Sequence, residues 1–368
     1  MGAVQQVNEI GNEVARPAGL RRFVALDAYR GIIMLLLISD GFGLPSLKHD
    51  PAWHRIASWF DHVPWEGAVL WDMIQPAFMF MVGVAMPFAF AKRVREGATQ
   101  ADNFRHVVIR CVRLIILSQI LMWVGRGHIT PQLINVLSQI AFTYFLSFFI
   151  MQWKWRYQVI TAIGLLAFWT ALLFAFPGPD GPFSKTGSVG LVFDRAIFHY
   201  DYDPAYSTLN FIPSTVWTLS GVWAGRLLMT GRSHAATLRT LAGGTALSFA
   251  LWFALRSWIP MIKQLCTPTF IFYSLGWVLL MLIGFYWFVE MRANKRAVFP
   301  LVVVGMNSIF IYSVAELLRG WLDRAVGVFT FRFEFLGALG HVAQACAVVL
   351  ALWYLCYWLY QRRIFIKL

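Results

Sequence analysis

The chain has 368 residues, of which 59% are hydrophobic, 17% aromatic and only 13% charged, whereas an ordinary globular domain carries about a quarter charged residues. This composition excludes a water-soluble globular domain. A formal net charge of +13 would suit a nucleic-acid binder, but the basic residues cluster at the ends of apolar runs and form no single basic face, which argues against nucleic acid as a partner.

Runs such as Gly31–Ile38, Ala77–Phe90 and Val278–Val289 are apolar on every side, so lipid or neighbouring helices must surround them. Backbone N–H and C=O groups in a bilayer must bond within the protein, which leaves helices or closed barrels, and these runs are too long and too uniform for barrel strands. The expected fold is all-α, a polytopic integral membrane protein with about ten transmembrane helices, each of about 20 apolar residues.

In chain order, residues 1–24 read as a cytoplasmic N-terminal tail. They lack the charged start and immediate apolar core of a cleavable signal. Residues 25–368 read as one transmembrane domain, with no fixed-period repeat or low-complexity linker. The predicted spans are Tyr29–Leu47, Val69–Ala91, Val107–Val124, Leu133–Met151, Tyr157–Phe176, Asn210–Met229, Ala236–Leu255, Thr269–Val289, Val298–Leu318 and Gly340–Tyr360. The second contains Pro76 and Pro87 and is expected to kink or break.

Basic residues fall in alternate loops: Arg21 and Arg22; Lys92, Arg93, Arg95 and Arg105; Lys154 and Arg156; Arg232; Arg292, Lys295 and Arg296; Arg362, Arg363 and Lys367. Those loops are expected inside, with both termini cytoplasmic and the protein in the cell's inner membrane. The opposite loops hold Asp50, Asp61, Glu66, Asp180, Asp194, Asp201 and Asp203. Cysteine spacing suggests neither a disulfide nor a metal site, and only Cys266 falls in an outer loop.

An ionisable group inside a span costs about 2.5–3.5 kcal/mol on insertion scales, so each needs a partner, a water cavity or a function. Asp40 falls in the outer half of the first span, and Asp72 near the outer start of the second, one turn before Pro76. Asn135 and Gln139 lie one turn apart on the fourth span, Asn307 sits in the ninth, and Glu316 near that helix's outer end. These could converge on one polar cavity; for Asn135, Gln139 and Asn307 the favoured reading is interhelical hydrogen bonding, whereas for Asp40 and Asp72 both readings stand. Arg110 and Arg113, on the third span, suit either a phosphate or simple positive-inside anchoring.

The outer-loop segment Asp61-His62-Val63-Pro64-Trp65-Glu66-Gly67 combines an acid, an imidazole and a rigid Pro-Trp turn. Histidine exchanges protons near neutral pH, and a nearby carboxylate can orient it. Two readings stand at this level: a catalytic histidine, or an interfacial one beside an aromatic belt.

The order of segments then carries a resemblance. Leu26-Asp27-Ala28-Tyr29-Arg30-Gly31 opens the first span, Asp61–Gly67 follows, and Trp71-Asp72-Met73-Ile74-Gln75-Pro76 leads on to Gly83. Ile134–Tyr144, Tyr202-Asp203-Pro204 with Gly221–Gly225, and Pro300–Ile309 complete the pattern. The chain resembles the heparan-α-glucosaminide N-acetyltransferase family over nearly its whole length, as an uncharacterised bacterial member.

That resemblance implies an acyltransferase-like domain over 25–368, moving an acyl group, expected to be acetyl, from cytosolic acyl-CoA to an extracytoplasmic sugar or glycan. The family's active-site histidine maps onto His62, which would act as base or acyl carrier, with Asp72 orienting polar groups. The family's functional asparagine near the end of the first span meets Asp40 here, and an arginine of its fourth span meets Gln139. The catalytic set is thus His62, Asp40 and Asp72. Asp61, Trp65, Gln139 and Asn307 are expected to bind substrate, and Arg110, Arg113 and Asn135 acetyl-CoA. Expected partners are membrane lipid, the glycan acceptor and a second copy in a homodimer. The alternative is a transporter or flippase of a small polar or glycolipid substrate, since broken helices with midplane polar residues also suit translocation.

Overall fold

The computed structural model describes residues 23–200 and 206–366. The N-terminal tail up to residue 22 and the motif Tyr202-Asp203-Pro204, with Asp201, lie outside the described residues. The elements are helical: α1 Val24–Ser39, α2 Ile74–Arg95, α3 Gln100–Arg126, α4 Val136–Ile150, α5 Trp155–Ala175, α6 Val189–Phe198, α7 Phe211–Met229, α8 His234–Leu255, α9 Pro268–Phe285, α10 Phe299–Met306, α11 Ser308–Thr330 and α12 Gly340–Gln361. Two isolated β-bridges are the only extended pairing among the described residues.

Seven stretches are long and apolar enough to cross a membrane, among them Ser308–Gln361, which contains both α11 and α12; Val136–Ile150 is apolar but shorter. The chain is a helical multi-pass membrane protein. The expected sixth span, α7, is not among the seven. It carries Ser214, Thr215, Thr218 and Ser220, and most of its residues are buried by other helices, so it faces protein more than lipid.

Local chemistry sets several helix ends. Thr99 caps α3 by accepting from Asp102 N, and Asp102 bonds back to Thr99 N at 2.9 Å, a reciprocal capping box. Gly127 ends α3 in the left-handed conformation. Asn135 accepts from Leu137 N at 2.9 Å to start α4, and Pro268 occupies the first turn of α9. Helix α2 runs continuously through Pro87.

At the centre, α2 and α7 pack with their backbones nearly touching. A Cβ at Gly83 would fall on the Thr218 carbonyl, and one at Gly221 on the Phe80 carbonyl. With Gly225 one turn further on, this is the small-residue contact by which helices approach closely in lipid.

Three expectations are corrected here. The first span reaches Leu47 as expected, but its α-helix ends at Ser39, because Asp40, Gly41, Phe42 and Gly43 all take positive φ; Asp40 therefore sits at the helix's left-handed cap, not within a continuous helix. The ninth span is broken at Asn307, then continues as α11 to Thr330. Helix α6, in a segment given no element, carries Val192, Phe193 and Ile197 exposed.

Contacts between loops define the two ends of the bundle. One end joins Gly67 to Met261, Trp169 to Leu265 and Asn210 to Gln264. The other joins Gln100 to Gln152, His234 to Tyr286 and Asn307 to Ile364.

Candidate active site

At the first of these ends, a single turn, Leu70–Met73, feeds into α2. Asp72 lies in this turn, 1% exposed. Its Oδ2 accepts from Val69 N at 3.0 Å, which fixes the carboxylate and leaves Oδ1 for other partners. His62 approaches from the preceding loop, its Nδ1 2.8 Å from Asp72 Oδ1. An ionised carboxylate offers only acceptors, so this contact favours the tautomer with the proton on Nδ1 and the Nε2 lone pair free. The imidazole is half exposed.

Lys263 completes the cluster. Its Nζ donates to Asp72 Oδ1 at 3.0 Å and stands 3.0 Å from His62 Nδ1. Burial pushes its pKa down, while the Asp72 charge and hydrogen bond oppose that shift. The loop carrying Lys263, between α8 and α9, is tied down on all sides. Thr267 Oγ1 accepts from Ile262 N at 3.0 Å and donates to Pro260 O at 2.8 Å. Gly67 N donates to Met261 O at 2.8 Å, and Asn210 Nδ2 to Gln264 O at 2.8 Å. The neighbouring Cys266 thiol is pushed up to about 12 by burial, so it is no nucleophile near neutral pH.

His62 and Lys263 line a cavity of about 510 Å³. Its walls include apolar Met34, Phe78 and Leu121 and polar Asn135, Gln139 and Glu316, drawn from α1 to α4 and α11. Gln139 Nε2 donates to Leu133 O and Thr208 O, and its buried Oε1 has no partner among the described residues. An acceptor of this kind beside apolar walls suits a chain of methylenes and amides, the chemistry of a pantetheine arm.

Of the residues singled out from the sequence, His62, Asn135, Gln139 and Glu316 line one cavity and Asp72 is bonded to His62 at its wall, whereas the others lie elsewhere. Asp40 is 74% exposed and pairs with Arg319 at 3.6 Å. Asn307 lies at the opposite end of the bundle, where it donates to Ile364 O at 3.1 Å and accepts from Ile366 N at 2.9 Å, fastening the chain after α12. Asp61 accepts from His62 N at 2.9 Å and pairs with Lys48 at 3.4 Å; neither it nor Trp65 lines the cavity. Arg110 lies over the Tyr144 ring, 4.7 Å from its centre, and Arg113 is exposed on the same helix. Neither reaches the cavity.

Lys263 escaped the sequence reading. Its signal was a lone cation between Pro260 and Pro268.

No protein-family model matches the chain. It is 22% identical to the heparan-alpha-glucosaminide N-acetyltransferase of Mus musculus over 96% of its own length and 61% of that protein. It is also 22% identical to the Homo sapiens protein of the same name, over 94% of its own length and 60% of the relative. The chain spans about three fifths of the length of these curated relatives. Across nearly all of its length, the protein is therefore similar to enzymes named for acetyl transfer to a glucosaminide nitrogen.

Proposed function

We propose that the protein is a transmembrane acyltransferase, moving an acyl group, acetyl in the first instance, from cytosolic acyl-CoA to an amino sugar or glycan on the other side of the membrane. The proposed arrangement includes ten membrane crossings, both termini cytoplasmic and His62 at the outer end, as vectorial transfer requires. A bacterial inner membrane supplies the matching compartments. The observation carrying the proposal is the His62–Asp72 hydrogen bond of 2.8 Å at the wall of the 510 Å³ cavity.

A bound acyl-CoA would supply an electrophilic thioester carbonyl. His62 Nε2 takes the proton from the acceptor amine or hydroxyl as that atom attacks the carbonyl carbon. The imidazolium then returns the proton to the departing sulfur. Asp72 holds Nδ1–H throughout, fixing the tautomer and stabilising the transient positive charge. Gln139 and Asn135 hold the amides of the donor's arm, and the apolar wall excludes water that would hydrolyse the thioester.

The test is transfer of labelled acetyl from acetyl-CoA to glucosamine and to cell-wall amino sugars by purified protein. His62→Ala is expected to lower kcat by about 10²–10⁴-fold with CoA affinity kept, the usual contribution of a positioned general base. Wild-type turnover retained in His62→Ala would remove the imidazole from the reaction.

A further inference from the structure

The cluster contains one group more than a histidine and its orienting acid require. Lys263 is 8% exposed, in a loop whose backbone bonds to three other segments, so holding an ammonium there is a built feature of the site. A buried cation next to a base bears directly on proton transfer. We infer that Lys263 is a positioning residue, whose ammonium anchors Asp72 and holds His62 as the free base over the working pH range. The inference rests on the acyltransferase reading only for its kinetic readout.

The argument is geometric. Asp72 Oδ1 accepts from both His62 Nδ1 and Lys263 Nζ, at 2.8 and 3.0 Å. With neutral imidazole the three groups sum to zero charge. Protonating Nε2 would place a second cation on a ring whose Nδ1 is 3.0 Å from the ammonium, and although the ring is half exposed the ammonium beside it is buried, so repulsion at this range persists. Without Lys263, Asp72 would act on His62 unopposed and favour the imidazolium, which cannot accept the substrate's proton.

Other charged groups are positioned less directly. On the loop side, Asp61 meets the His62 backbone and pairs with Lys48. Tyr206 lies beside Lys263, its ring centre 5.8 Å from Nζ. Arg126 and Glu316 lie on other walls of the cavity. Arg126 bonds to Gln132 Oε1 and Tyr200, and Glu316 is exposed on α11.

Lys263→Gln, which can still donate to Asp72 without a charge, and Lys263→Met separate charge from hydrogen bonding. Two readouts apply: the acid limb of kcat/KM for acetyl transfer, and the pH dependence of diethylpyrocarbonate modification of His62, corrected with His62→Ala. Both variants are expected to move both acid limbs to higher pH. On the acid side the free-base fraction should fall about tenfold for each unit of movement. Lys263→Arg should restore the wild-type limb.

Acid limbs unmoved in folded Lys263→Gln and Lys263→Met would overturn the inference. So would failure of both to fold while Lys263→Arg folds, because that outcome assigns the lysine to the scaffold. A shifted modification profile in a protein without acetyl transfer would keep the lysine's role and reject the acyltransferase reading.

Discussion

The base proposed here is only half exposed, so its protonation state depends on the groups that touch it as well as on water. Asp72 meets this need through backbone geometry, because the turn that starts α2 supplies the Val69 N–H holding its second oxygen. His62 and Asp72 stand only ten positions apart, on either side of a helix start, so a sequence reading can bring them together. Lys263 reaches them from 191 positions away, a pairing that no local pattern encodes. Asp194 on α6 shows the opposite arrangement, a buried carboxylate without a cation. Its Oδ2 accepts from Thr208 N at 2.8 Å, and its Oδ1 has no partner among the described residues; burial raises its pKa. The folded protein therefore holds this proton to higher pH than the unfolded chain. The associated stability is complete below the ordinary aspartate value of about 3.9 and is lost as pH rises through the folded one. Asp194→Asn keeps an acceptor for Thr208 without the charge. It should raise Tm at neutral pH and flatten the fall between acid and neutral pH, as read by intrinsic fluorescence in detergent. Parallel wild-type and variant profiles would mean that the carboxylate's burial costs nothing.

At the scale of elements, hydropathy locates helices well, because apolar runs in lipid have few conformational options. It misses features that depend on backbone conformation or on amphipathicity. The left-handed turn at Asp40–Gly43, the break at Asn307 and the ten-residue α6 all lie outside its reach. The α2–α7 contact depends on glycine at positions where nothing larger fits. Gly221→Leu would drive side-chain atoms into the Phe80 carbonyl and part the two helices. A destabilisation of about 1–3 kcal/mol is expected from overpacking of this kind, with activity falling as the cavity wall formed by α2 shifts. Gly164 on α5 provides the control, since a Cβ there meets nothing within 4 Å. Gly164→Ala should be neutral or stabilising by about 0.5–1 kcal/mol through helix propensity. Equal losses in the two variants would show that close approach is not what glycine provides at position 221.

For the whole molecule, the decisive question is which compartment His62 faces. The end opposite the site carries Lys92, Arg95, Lys154, Arg156, Arg232, Arg292 and Arg362, whereas the site's end carries Asp50, Asp61, Glu66 and Asp180. On the bias of Lys and Arg toward the cytoplasm, the proposed topology has the cavity mouth facing outside. Helix α2 makes the crossing measurable. Its 22 residues rise about 33 Å at 1.5 Å each, enough to cross about 30 Å of hydrocarbon, so Glu66 before it and Arg95 at its end should meet opposite solutions. Both are exposed. Cysteines placed singly at these positions, with Cys346 replaced by Ser because it alone among the native cysteines is not buried, can be probed with an impermeant maleimide in intact cells. Glu66→Cys should label at once and Arg95→Cys only after permeabilisation. The reverse pattern would turn the protein over and place His62 with the cytosolic acyl-CoA pool, leaving no need for transfer across the membrane. Labelling of both in intact cells would mean that α2 does not cross, and the bundle would then lack the barrier that vectorial acyl transfer requires.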